Sequence, residues 1–292
     1  MGRRVDFTTH GVMAEPTTYI VAVSGGVDSV VLLHMLAQKI PSELVVAHFD
    51  HGIRDDSNED ALFVGRLTKQ YGVRFATQRE ELGKHASEEL ARERRYAFLR
   101  TLARKYDGVI VTAHHGDDAV ETVAINLSRG TGWRGLAVLD SDTVRPLLDM
   151  SKNEIIAYAK RHDLVWHEDS TNASDIYLRN RIRQKTSTMS SDDTRQILAL
   201  RAHQVALKRD IDDELHKLVG SGPTYSRYFF SHIDPSVARE CLRYITGGKL
   251  TRPQAERAML AIKTAGSGTT YQAGSGVSIG FTSRNFIIEL IK

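Results

Sequence analysis

The strongest constraint on this chain is an alternation: four short apolar runs, each followed by a stretch with helical spacing. Tyr19–Val23 reads as a buried strand. Val27–Lys39 then carries apolar residues at helical spacing, and Pro41 follows its end. Leu44–Phe49 is a second strand, and Ser57–Tyr71 reads as a helix stopped at Gly72. Val73–Thr77 is a third strand. Ala86–Tyr106 is a long Arg-rich helix that offers Leu90, Ala97, Leu99 and Leu102 for packing. Gly108–Thr112 is a fourth strand and Asp118–Arg129 the next helix. This pitch predicts an α/β fold, a parallel sheet with helices on both faces. In such sheets ligands sit beyond the carboxyl ends of the strands.

The length of 292 residues suits two domains. Residues 1–16 read as a loose N-terminal extension and 17–190 as the α/β domain. Within it, Ser151 and Glu154 have capping-box spacing and open a helix to about His162. Asp192–Val219 reads as one long helix, a connector over 191–223 that Gly220–Pro223 breaks. The remainder, 224–292, is expected to be a small, mainly helical domain. It has helices near 235–246 and 251–265, and two Gly-rich strands at 276–281 and 285–291.

Composition narrows the setting. The single cysteine, Cys241, can form neither an internal disulfide nor a Cys-x-x-Cys site. No apolar run approaches the roughly 18–20 residues of a membrane span, and the first 16 residues lack the apolar core of a secretory signal. A cytoplasmic protein without a membrane partner is expected. The net charge of +3 says little. Its distribution says more: Arg179–Arg209 holds eight Lys/Arg against two Asp, and Arg92–Lys105 six against one Glu. Such patches suit a phosphate-rich partner or, equally, a solvated helix face.

Three polar clusters fall at strand ends: Ser24–Ser29, His48–Arg54 and Ala113–Asp118. In the first, Gly25 and Gly26 let the backbone turn tightly and aim N–H groups at an anion, while Ser24 and Ser29 add hydroxyls. The next helix points its positive end there. No Gly-x-x-x-x-Gly-Lys-Ser/Thr is present, so this is not the P-loop that positions a γ-phosphate with lysine. Ser24–Ser29 instead resembles the PP-loop of N-type ATP pyrophosphatases, which grips departing pyrophosphate. Gly130, Gly132 and Gly135 spell a dinucleotide fingerprint, but they follow a helix rather than a strand and read as a loop near the site. In the third cluster, Asp117 and Asp118 suit Mg²⁺. Asp118 with Glu121 equally suits a helix cap. A dinuclear phosphohydrolase built on His48, Asp50 and His51 leaves the Ser-Gly-Gly loop unexplained.

Together the clusters carry a wider resemblance. Ser24–Ser29, His48–Arg54, Ala91–Tyr96, Thr112–Asp118 with Glu121-Thr122, Arg129–Leu136, Arg145–Leu148, Glu168–Asn172 and Arg179–Arg183 occur in the order found in tRNA(Ile)-lysidine synthetases. The chain resembles that family over about 170 residues and only loosely after Ser191. The resemblance implies an adenine nucleotide alpha-hydrolase-like fold and an ATP-dependent ligase. Its partners would be ATP, free L-lysine and a CAU-anticodon tRNA(Ile), with Mg²⁺ assisting. It assigns ATP binding to Ser24, Gly25, Gly26, Val27, Asp28, Ser29, His48, Phe49 and Asp50. The metal carboxylates would be Asp118 and Asp28. Catalysis falls to Asp118, Asp117, His114, Arg95 and Arg92, and RNA or intermediate binding to Arg179, Arg181 and Arg183. A carboxylate or His114 would take the proton from the attacking lysine, and acidic residues near Glu168, Asp169 or Asp117 would hold it. Two rivals stand beside this reading. A tRNA thiolase on the same scaffold would need several cysteines. A non-catalytic nucleotide sensor would not need the Arg-rich and His-His-x-Asp-Asp segments.

Overall fold

The computed structural model describes residues 18–52, 57–83, 86–167, 182, 186 and 189–290. The chain divides into two compact units, between Val205 and Ala206.

The first unit is the expected parallel sheet. Strands β1 (Tyr19–Ala22), β2 (Leu44–Asp50), β3 (Arg74–Arg79) and β4 (Val109–Val111) lie in the order β3-β2-β1-β4, all parallel. Helices α1 (Val27–Ala37), α2 (Ser57–Tyr71), α3 (Glu88–Tyr106), α4 (Gly116–Ser128) and α5 (Lys152–Arg161) connect and follow them. Strand side chains alternate between faces, and the sheet uses both. Val21, Val23, Leu44 and Val46 pack with α1, with Phe63 and Val64 of α2, and with Ile155 and Ala159 of α5. Ile20, Val45, Ala47 and Phe49 pack on the other face with Phe98, Leu99 and Leu102 of α3. Each such buried Val, Leu, Ile or Phe side chain contributes about 1.5–3 kcal/mol. On α3, Phe98 takes the core place expected of Ala97, which is exposed.

Topology selects one point on the sheet edge. From β1 the chain steps through α1 to β2 and on to β3, then crosses through α3 to β4 on the far side of β1. Strand order reverses between β1 and β4, and at such a switch the two following loops diverge and leave a crevice. Those loops are Ser24–Ser29 and Ala113–Asp118.

The helix α6 (Ser191–Val219) contains the division between units. Ile197 and Leu198 pack with Ala119 and Val123 of α4 in the first unit, whereas Ile211, Leu215 and Val219 belong to the second core. The second unit also holds β5 (Thr224–Ser226), α7 (Arg227–His232), α8 (Pro235–Ile245), α9 (Arg252–Thr264), β6 (Thr270–Gly274), β7 (Val277–Phe281) and β8 (Asn285–Leu290). Its strands pair antiparallel in the order β5-β8-β7-β6, so the sheet has four strands where two were legible. Among the described residues, no helix is long and apolar enough to cross a membrane.

Candidate active site

The loop after β1 is built by local hydrogen bonds. Gly25 has φ +102°, a conformation that favours glycine. A Cβ there would also meet Phe63 at 3.5 Å. The Ser29 hydroxyl accepts the N–H groups of Ser24 and Gly25, both at 3.2 Å, and donates to the Gly26 carbonyl at 2.9 Å. The first intrahelical bond of α1 runs from Val30 N–H to Gly26 O at 3.0 Å. The amides of Val27, Asp28 and Ser29 therefore point out of the helix at its positive end. Outside the loop, the His167 N–H holds the Gly25 carbonyl at 3.0 Å. The His167 ring stacks on Phe63 and its Nδ1 lies 2.7 Å from Asp60 Oδ1.

The loop after β4 is fixed against α5. Gly116 donates its N–H to Met150 O at 2.8 Å, and a Cβ on it would lie 3.0 Å from that oxygen. This close approach starts α4 at Gly116, two residues earlier than expected, and corrects the cap. His115, not Asp118, is the N-cap; the Asp118 carboxylate accepts the His115 N–H at 3.0 Å, and Glu121 lies buried one turn on.

The two loops meet through charged side chains. Lys152 at the start of α5 donates its Nζ to Asp28 Oδ1 at 2.6 Å and its backbone N–H to Asp117 Oδ2 at 2.7 Å. His115 Nε2 lies 4.0 Å from Asp28 Oδ1 and 3.6 Å from Asp118 Oδ2. First-turn residues of α1, α4 and α5 are thus gathered at one point. Helix N-termini favour anions there, and the three aspartates partly occupy that potential. Sequence reasoning missed Lys152. Its one sequence signal was the capping box of Ser151 and Glu154, which marks the helix start and says nothing of the partner 124 residues away.

His114 sits in a basic surround. Its Nδ1 lies 2.9 Å from Thr112 Oγ1. Burial, followed by the charges of Arg145, Arg92 and Arg95, pushes its pKa down to about 4 against an opposing pull from Asp118. The imidazole is therefore neutral near pH 7. Arg92 and Arg95 also lie over the Tyr96 ring, at 5.0 and 5.8 Å. Arg145 is buried and bonded to the carbonyls of Leu139 and Thr143, so its charge is fixed in place.

The loop after β2 is divided in role. His48 is buried and its Nδ1 contacts Val23 O at 2.9 Å, leaving Nε2 without a partner among the described residues. Phe49 packs into the core with Phe98, so only its backbone faces the edge. The Asp50 carboxylate holds Gly52 N–H at 2.9 Å and Arg79 at 3.0 Å, bracing the loop. Burial and Arg95 lower the pKa of His51. Val27 is likewise a core side chain whose amide alone reaches the loop. Arg54, Glu168–Asn172 and Arg179, Arg181 and Arg183 lie outside the described residues. Gly130–Gly135 follows α4 and ends in a 3₁₀ turn, Trp133–Leu136, so it is no dinucleotide fingerprint.

Mg²⁺ prefers oxygen ligands, keeps several waters and takes phosphate oxygens. Among the described residues no group of three or more His, Cys, Asp or Glu is arranged to hold a metal ion by itself. Asp28 and Asp118 instead lie 4.0 and 3.6 Å from His115 Nε2.

A parallel sheet with a glycine-rich turn, helix N-termini and carboxylates at its switch point defines a phosphate-handling α/β domain. The chain belongs to the PP-loop domain family, whose model matches residues 5–189. Among curated proteins it is 40% identical over 193 residues to the tRNA(Ile)-lysidine synthase of Bacillus cereus (strain ATCC 10987 / NRS 248), covering 60% of this chain and 40% of that protein. It is 33% identical over 238 residues to the tRNA(Ile)-lysidine synthase of Lactobacillus johnsonii, covering 76% and 55%. The chain thus spans about half the length, or less, of these relatives. Among solved structures it shares its fold with the U34-tRNA thiolase of Methanococcus maripaludis, solved with its [4Fe-4S] cluster. The TM-score is 0.55 at 17% identity, over 65% of this chain and 71% of that one.

Proposed function

We propose that the chain carries ATP-dependent lysine ligation onto the wobble cytidine of a CAU-anticodon tRNA(Ile). The observation that carries this reading is the gathering of Asp28, Asp117, Asp118, His115 and Lys152 at the N-termini of three helices beside the Ser24–Ser29 turn. The name of the curated relatives, tRNA(Ile)-lysidine synthase, supports tRNA(Ile) as the substrate.

In this reading the cytidine C2 oxygen attacks the α-phosphate of ATP and pyrophosphate leaves. The lysine ε-amine then attacks C2, loses a proton and expels AMP. The outward amides of Val27, Asp28 and Ser29 stabilise charge growing on pyrophosphate. The Ser29 hydroxyl, which now holds Ser24 and Gly25, is placed to reorganise onto a phosphate oxygen. Asp28 and Asp118 would hold Mg²⁺, which supplies charge neutralisation on the phosphates when bound. His48 and the backbone of Phe49 and Asp50 border the adenosine. His114, neutral near pH 7, accepts a hydrogen bond or a proton beside Arg92 and Arg95, which present cations to the RNA and the adenylated intermediate. Arg179, Arg181 and Arg183 are further basic residues of the sequence proposed to bind the RNA or the intermediate.

The thiolase reading is disfavoured by residue chemistry. A cluster or persulfide route needs cysteine thiolates. The single cysteine, Cys241, is fully buried in the second unit, where burial raises its pKa.

The test combines the protein, ATP, labelled lysine and CAU-anticodon tRNA. Label in RNA together with AMP is the expected result. AMP without label would indicate another transferase, and no turnover would indicate a nucleotide sensor.

A further inference from the structure

We propose that His167 is a positioning residue for the phosphate-gripping turn: seated on Asp60 and Phe63, it keeps the Gly25–Gly26 peptide from flipping. The inference rests on the reading of Ser24–Ser29 as a grip for pyrophosphate, and it deepens that reading by naming what fixes the grip from outside.

The need follows from the turn itself. Gly25 has φ +102° and is followed by a second glycine. Glycine has the widest conformational freedom of any residue, so rotation of a peptide between two glycines meets little local resistance. A trans peptide carries its C=O and N–H on opposite sides. The Gly25 carbonyl accepts the His167 N–H at 3.0 Å, and the Gly26 N–H faces the other way, toward Ser24 Oγ at 3.4 Å. A flip would exchange the two and set a carbonyl oxygen where an anion needs a donor.

The contacts around His167 oppose that flip. Its Nδ1 lies 2.7 Å from Asp60 Oδ1, and because a carboxylate only accepts, Nδ1 carries the hydrogen. The Asp60 side chain is 19% exposed, so water competes weakly for this bond. The face of the imidazole stacks on Phe63, with centroids 4.2 Å and planes 23° apart. Asp60 and Phe63 are three residues apart on α2 and so share a helix face. One holds the edge of the imidazole and the other its face. Phe63 is itself 7% exposed and stands 3.5 Å from where a Gly25 Cβ would lie. The ring that seats His167 therefore also closes the space beside Gly25. Gly25, Phe63 and His167 make a closed circuit of contacts, which ties the chain beyond α5 to the turn after β1. His167 acts on a phosphate only through that peptide.

The test measures binding of inorganic pyrophosphate and, separately, of adenosine to the full chain by calorimetric titration, without lysine or RNA. His167→Ala removes the imidazole and should weaken pyrophosphate binding about tenfold, with adenosine binding held within about twofold. His167→Asn, whose side-chain amide still donates to Asp60, should recover most of the loss. A general loss of structure would move both ligands together, so parallel losses overturn the inference. Unchanged pyrophosphate binding in His167→Ala overturns it too, as does a His167→Asn no better than His167→Ala. Should the variants fail to fold, hydrogen exchange of the ¹⁵N-labelled wild-type chain replaces them. The His167 amide should exchange about a hundredfold slower than in an open chain, and exchange at the open-chain rate overturns the inference. A wild-type chain that binds no pyrophosphate would refute the reading of the turn and this inference with it. Failure in the variants alone refutes only the inference and leaves the ligation assay intact.

Discussion

The carboxyl edge of the parallel sheet and the C-terminal unit treat buried polar atoms in opposite ways. In the C-terminal unit they are satisfied internally. The Arg227 guanidinium is spread over the carbonyls of Ile262, Ala265 and Thr282. Thr246 bonds Leu242 O at 2.8 Å, and Ser278 accepts from Gln272 at 3.2 Å. At the sheet edge, His48 Nε2 and His51 Nδ1 are buried and without partners among the described residues. No such atom occurs after residue 205 among the described residues. A buried polar group left unsatisfied costs about 1–3 kcal/mol, so a fold retains such groups where a ligand completes them. One region satisfies its buried polar atoms internally, and the other leaves histidine nitrogens without partners among the described residues.

That contrast can be broken by substitution. The largest expected effect belongs to the self-sufficient unit. Phe230, 1% exposed and edge-to-face with Phe286, anchors its core. Phe230→Ala should cost about 3–5 kcal/mol in denaturant unfolding while leaving nucleotide affinity of the folded fraction unchanged. A fall in that affinity would erase the distinction. At the sheet edge the sign reverses. Asp118→Asn should lower AMP formation by roughly 10²–10³-fold and scarcely move the melting temperature. Wild-type turnover would remove Asp118 from the chemistry.

The smallest effect concerns pH. His114 has a folded pKa of about 4, below its ordinary 6.5. Between those values the unfolded chain binds a proton that the folded chain refuses. Stability is therefore complete above pH 6.5 and falls as pH drops toward 4, by at most about 3 kcal/mol. His114→Asn should flatten that limb in a pH series of unfolding curves. An unaltered limb would assign the acid sensitivity to other groups.

The contrast also explains what could be read in advance. The parallel sheet was legible because β-branched runs and helical spacing are local signals, as in Leu44–Phe49 and Ser57–Tyr71. Gly25 was legible because its backbone conformation demands that residue type. The start of α4 was not, since it depends on Gly116 reaching the Met150 carbonyl, a tertiary contact. Lys152 was hidden for the same reason: nothing near it in sequence names Asp28. In the second unit, Thr224–Ser226 and Thr270–Gly274 are too short and polar to stand out. Pairing with β8 and β7 makes them strands. Arg227–His232 is a helix of six residues, below the length at which periodicity is informative.

The central claim is that the turn after β1 and the start of α4 together receive a nucleotide's terminal phosphates. Titration of the ¹⁵N-labelled chain with magnesium pyrophosphate tests it directly. The account expects amide shifts centred on Ser24–Ser29 and His115–Asp118, with the C-terminal unit silent. Shifts confined to residues beyond 205, or none at all, would contradict it.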